Sequence, residues 1–191
     1  RASGCAKASQ ADGATWVGLA RLEVWPQGFT PLPYAKHLDP RVRREAYALL
    51  LRDPAMRGEA IAMAVADSDE RIVRAALNAA LEGGCPREAI PMLTERLNER
   101  SLDGMMAVLA IRVIAPIRLP VVLDVLVKAV VSRKRRWFFW HKLAPKNQPM
   151  LAALAALANT WSKDPMAMKV LALAERDTDS AVQNALRGRH A

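Results

Sequence analysis

From residue 40 onward, apolar positions recur every three or four residues in short runs separated by polar turns. Val42, Ala46, Leu49 and Leu50 make one stripe, and Val73, Leu77, Ala80 and Leu81 make another. Ile90, Leu93 and Leu97 continue the pattern, as do Leu102, Met106, Leu109 and Val113, and then Leu151, Leu154, Ala158 and Trp161. Such spacing places the apolar residues on one face of an α-helix, and a single stripe needs a neighbour to bury it. Asp39-Pro40, Asp53-Pro54 and Asp164-Pro165 each set a capping carboxylate before a proline whose fixed φ suits the first helical turn. Aspartate starts recur after 13 or 14 residues, so helices of about twelve residues joined by two- or three-residue turns are expected. The pattern predicts nine helices, over 40–51, 54–66, 69–82, 86–99, 102–115, 120–136, 149–162, 165–176 and 178–188.

Those helices pair into a repeat of about 30 to 40 residues. DPRVRREAYALLL at Asp39 to Leu51, DSDERIVRAALNAAL at Asp67 to Leu81 and DTDSAVQNAL at Asp177 to Leu186 share an aspartate start. A valine follows at the next turn, then small residues or leucine. This phrase resembles the outer helix of the HEAT-repeat family over residues 38–188, although the third and fourth repeats lack the Val-Arg pair. The resemblance implies an all-α fold, an alpha-alpha superhelix of about 4.5 helical pairs. What it carries over are caps and packing positions, which speak to fold more than to activity.

Residues 1–37 read differently. The first fourteen, RASGCAKASQADGA, are small and polar with nothing to bury, so a tail or linker is expected. Thr15 to Trp25 fits neither helix nor strand period, and Pro26, Gly28, Pro31 and Pro33 predict an extended connection. Trp16 and Trp25 are expected to cap one end of the core. Because the first residue is Arg, a part of a larger protein or assembly is one reading.

Charge changes this picture in one place. The chain carries a net +9, yet residues 38–132 balance to zero, and the stretch 133–149 holds six basic groups and no acidic one. It also holds four of the ten aromatic residues, in the run RKRRWFFWHK at Arg133 to Lys142. If the sixth helix ran on to 136, Lys134, Trp137 and Phe138 would share the face of Val127, Val130 and Val131. The aromatics would then fold onto the next repeat, with Arg133 to Arg136 solvating the rim. The other reading makes the insertion at 133–149 a binding surface: Arg133, Lys134, Arg135, Arg136, Lys142 and Lys146 would meet carboxylates or phosphates. Trp137 and Trp140 would anchor or stack.

An acidic segment of a protein partner fits that surface, which makes a non-catalytic protein-protein interaction scaffold or adaptor the expected function. Nucleic acid is the alternative. It includes the alkylpurine DNA glycosylases with HEAT-like repeats, in which Asp124 near Trp137 or Trp161 would play the acid and the aromatic. Arg57, the mixed Arg87, Glu88, Glu95, Arg96 and Glu99, and Lys169 do not form the sustained positive row that a phosphate-tracking groove needs. A membrane surface would attract the basic run, but four consecutive aromatics make no amphipathic stripe.

No catalytic, cofactor or metal pattern emerges. Cys5 and Cys85 lack metal-ligand spacing, and His37, His141 and His190 are scattered. Ser68, Ser101 and Ser132 fall at helix boundaries, and Gly83-Gly84 reads as a helix end. Arg118, Pro120, Asp124 and Lys128 interrupt the apolar run Val113 to Val131, so a buried helix is expected there and not a membrane span. Gly4-Cys5 is faintly similar to a lipid-attachment site, but lipid attachment is not expected there, because no apolar run is read before it. Two cysteines fit a cytoplasmic protein. Met105, Met106, Met166 and Met168 are expected to fill the core.

Overall fold

The structure, a computed structural model, describes residues 30–132 and 142–187. Among these, nine α-helices and two short 3-10 helices form, with no strand, so the described chain is all-helical. Two compact units can be distinguished, one ending at Ala79 and the other beginning at Ala80.

The first unit opens with a 3-10 helix, Leu32–Lys36. The extended connection expected through Pro31 and Pro33 is therefore corrected at this point. Pro31 has φ −74° and ψ −15°, and its carbonyl accepts the Tyr34 N–H at 3.0 Å. Proline's locked φ is as compatible with a first helical turn as with an extended strand, and local hydrogen bonding decides between them. Helix α1, Pro40–Leu50, buries Val42, Ala46, Tyr47 and Leu50 and packs on this turn and on α2, Arg57–Ala64. Helix α2 starts three residues later than the sequence pattern places it. The Asp53 carboxylate holds the Ala55 N–H at 2.9 Å, and the Asp53 carbonyl takes both Met56 and Arg57 amides, winding 53–56 into a separate turn. Arg57 Nε then donates to the Leu51 carbonyl at 2.9 Å, satisfying an acceptor that the end of α1 leaves open. Helix α3, Glu70–Gly83, runs across the boundary between the units. It buries Ile72, Val73, Ala76 and Leu77 on one face. Gly84, at φ +91°, follows it in the left-handed conformation that terminates helices.

The second unit continues with a 3-10 turn, Arg87–Ala89, and α4, Ile90–Glu99. Then follow α5, Gly104–Ile114; α6, Pro120–Val130; α7, Gln148–Thr160; α8, Pro165–Glu175; and α9, Ser180–Leu186. Helix α4 packs on α5 and α6, α5 on α7, α6 on α7 and α8, α7 on α8 and α9, and α8 on α9. Within this unit α5, α7 and α9 thus form one row and α4, α6 and α8 a second row against it. Between the rows Leu93, Ile111, Ile114, Leu126, Leu154, Leu157 and Leu171 are fully buried. Truncating any one of these leucines to alanine costs about 2–5 kcal/mol. Trp161 closes the turn after α7: its Nε1 donates to the Ala115 carbonyl at 3.1 Å, and the Arg118 guanidinium stacks over its ring at 5.6 Å. The same Arg118 donates to the Thr160 carbonyl at 2.6 Å.

Two further expectations are corrected in this unit. Helix α6 stops at Val130 and does not reach 136, because Val131 turns extended (φ −109°, ψ 140°) and pairs antiparallel with Leu143. The β-branched Val130-Val131 pair tolerates that conformation well. The Ala144 N–H meets the Val130 carbonyl at 2.8 Å, and the Ser132 N–H meets the Lys142 carbonyl at 3.1 Å. The helical register that would have set Lys134, Trp137 and Phe138 on one face ends before them. Of the four methionines expected in the core, Met106 is buried, but Met105, Met166 and Met168 are 58%, 42% and 47% exposed. Each of these three sits on the solvent side of its stripe, where helical phase outweighs hydrophobicity.

Candidate functional site

The odd-numbered helices begin alike. Asp39, Asp69, Asp103, Asn147 and Asp179 each accept a first-turn amide, from Arg41, Arg71, Met106, Met150 and Ala181 respectively. These caps lie 30, 34, 44 and 32 residues apart, so one interval is long by about a turn of chain and more, and it contains the basic insertion. At three starts a residue two places earlier accepts the cap's own N–H: Asp67 Oδ1 at 2.8 Å, Asp177 Oδ1 at 2.9 Å and His37 Nδ1 at 3.0 Å. His37 therefore stands where the later repeats have aspartate, an equivalence its residue type concealed. Accepting that amide requires a bare Nδ1.

The two aspartates of each Asp-x-Asp turn are clamped by cations from an earlier segment. Arg43 binds Asp67 through two contacts of 2.8 Å, and Arg44 binds Asp69 with both carboxylate oxygens engaged. Burial alone would raise the Asp67 carboxyl, but the Arg43 hydrogen bonds, the Asp69 amide and the Arg43 charge hold it below its ordinary value. In the second unit Lys146 plays the same part, reaching Asp177 at 2.8 Å and Asp179 at 3.2 Å. Its ammonium is held above the usual lysine value by the Asp177 hydrogen bond, and both carboxyls are held low by Lys146.

Of the residues nominated for binding, Arg133, Lys134, Arg135, Arg136, Trp137 and Trp140 lie outside the described residues. Lys142 is exposed, and its carbonyl closes the stem with Ser132. Lys146 is engaged by Asp177 and Asp179, so it ties the foot of the insertion to the start of α9. Ser132 and Lys142, the described residues on either side of 133–141, are thus joined by a hydrogen bond. What the sequence hid was this stem: no turn signal marks Val131 or Leu143.

Beside the stem is a cavity of about 790 Å³, bounded by the α4–α5 turn, α6, residues 131–132 and the chain entering α7. Leu97, Leu102, Ala129 and Pro149 supply apolar surface, Asn98, Asn147 and Gln148 amides, and Arg96, Arg100 and Lys128 cations. A second, shallower groove of about 960 Å³ runs along α4 to Leu119 and Val121, with both signs of charge on its edges. Asp124, the acid of the glycosylase reading, is 2.5 Å from Lys128, one turn along α6. Cys85 is half-buried, and burial pushes its thiol up to about 11, away from nucleophile chemistry at neutral pH. Among the described residues no group of three His, Cys, Asp or Glu side chains could hold a metal, and no helix is long and apolar enough to cross a membrane.

Comparison with protein-family models, curated proteins and solved structures finds no match.

Proposed function

We propose that this protein is a non-catalytic interaction scaffold, a HEAT-like stack that presents its basic aromatic insertion to an acidic segment of a protein partner. The observation that carries this reading is the stem. Paired main chain at Val131 and Leu143 and the Lys146 clamp on Asp177 and Asp179 tie the described residues on either side of 133–141 to each other and to the start of α9. An insertion so anchored offers five cations, Arg133, Lys134, Arg135, Arg136 and Lys142, with no acidic residue among them. The two-row packing of α4 to α9 and the recurring caps support the HEAT-like repeat. Guanidinium groups favour carboxylates by bidentate pairing, and adjacent Trp137 and Trp140 suit the role of anchors.

The test is a pull-down from nuclease-treated lysate with the native chain and a variant carrying Arg133, Lys134, Arg135 and Arg136 all changed to Glu, both confirmed helical by circular dichroism. A protein partner held by the native chain and lost by the variant supports the reading. Equal capture by both chains overturns it, and capture that requires intact nucleic acid transfers the function to a nucleic-acid ligand.

A further inference from the structure

We propose that the cavity between the α4–α5 turn and the α6–α7 junction binds a small single-tailed carboxylate, an aliphatic body ending in one anionic head. Its volume of about 790 Å³ lies within the roughly 300–1,000 Å³ of small-molecule sites. The part of its lining that solvent reaches includes Leu97, Leu102, Ala129 and Pro149 beside the amides of Asn98, Asn147 and Gln148, with no aromatic ring among the lining residues, so it suits an alkyl chain better than a planar base that needs an aromatic partner. Arg96, Arg100 and Lys128 line the same cavity, and no carboxylate does. Lys128 is already paired with Asp124, whereas Arg100 forms no ion pair with a described residue. A guanidinium on the wall of such a cavity matches a planar carboxylate through two parallel hydrogen bonds.

The backbone gives a second, independent pointer. Arg100 caps the end of α4 at φ 56° and ψ 34°, the only non-glycine residue with positive φ among those described. Helix α3 meets a left-handed position just past its end with Gly84. A large charged residue kept in that conformation carries backbone strain that glycine would relieve, and such strain gathers at binding sites. Here it sets the Arg100 side chain on the wall of the cavity. The inference is independent of the scaffold reading, which rests on the insertion and not on this cavity.

The experiment is calorimetric titration of the full chain with decanoate, below its aggregation concentration, against decanol as the uncharged counterpart. One decanoate per chain is expected, with decanol about tenfold weaker or more, the loss of one charge-assisted hydrogen-bonded pair. Arg100→Gly is expected to weaken decanoate by about the same factor while raising the thermal midpoint, a combination that general damage to the fold would not produce. Ala129→Trp, which fills the cavity, is expected to abolish binding. Equal affinity for decanoate and decanol, multiple weak equivalents per chain, or no binding to the native chain would each overturn the proposal. So would binding that emerges only after Trp137, Phe138, Phe139 and Trp140 are all changed to Ser, which would assign the cavity to the chain's own aromatics.

Discussion

Replacing Arg43 with methionine removes a guanidinium while keeping most of the side chain's length. It takes the guanidinium away from the Asp67 carboxylate, whose side chain is 6% exposed and which also accepts the Asp69 amide. An exposed pair would be worth less than about 1 kcal/mol, and breaking a fully buried one costs about 3–5 kcal/mol. Arg43 is 14% exposed and bidentate, so the cost falls between these limits, about 2 kcal/mol. The clean measure is a double-mutant cycle of Arg43→Met and Asp67→Asn by urea denaturation. Tyrosine absorbance reports the first unit, since both tyrosines of the chain, Tyr34 and Tyr47, lie in it. A coupling of about 1–2 kcal/mol is expected. The acid limb adds a sign. Asp67 is held below its ordinary value, so its contribution is fully present above about pH 3.9, the unfolded value. It disappears as pH falls through the lower folded value. In Arg43→Met the hydrogen bonds and charge that most lower Asp67 are gone, and acid unfolding should begin at higher pH than in the native chain. A coupling under about 0.5 kcal/mol, or an unchanged acid limb, would show that the Asp-x-Asp clamp is surface decoration and refute the reasoning.

The corresponding clamp in the second unit predicts that Lys146→Glu sets three acidic groups together and strips hydrogen-exchange protection from α9, with little change in α5. In the native chain that clamp should hold between the unfolded aspartate and lysine values, about pH 3.9 and 10.4, weakening in acid as Asp177 and Asp179 protonate and in alkali as Lys146 loses its proton; flat α9 protection across both limits would contradict it. Trp161→Phe leaves the Ala115 carbonyl without its 3.1 Å donor and removes the surface under Arg118, and should cost about 2 kcal/mol in chemical denaturation. Cys85, with its thiol pushed to about 11, should label slowly with a disulfide reagent at neutral pH, faster as pH rises toward that value, and at once in urea. Fast native labelling at pH 7 would show the site to be open.

The parts legible in the sequence are those settled by neighbours along the chain. Apolar residues three and four apart define the buried stripes of α1, α3 and α7, because helix geometry alone puts them on one face. Asp39 and Asp164 announce their helices because a carboxylate caps amides only two or three residues away. The insertion's charge is a property of composition, and its place between two helices follows from the patterns on either side. Where a short-range rule admits two answers, the reading failed: Pro31 fits a strand or a helical turn, and Val130-Val131 fits a helix or an extended pair.

Sequence by itself therefore determined an all-helical chain of short capped elements with a concentrated basic aromatic stretch, since propensity, capping and period act over about one helical turn. Tertiary structure decided which carboxylates the cations hold, as with Arg43 on Asp67 and Lys146 on Asp177, because those partners are 24 and 31 residues apart. It also decided that α6 ends at Val130, through hydrogen bonds to Lys142 and Ala144 that do not exist until both sides of the insertion come together. The cavity beside that stem belongs to the same class, since its walls come from α4, α5, α6 and α7 and only packing assembles them.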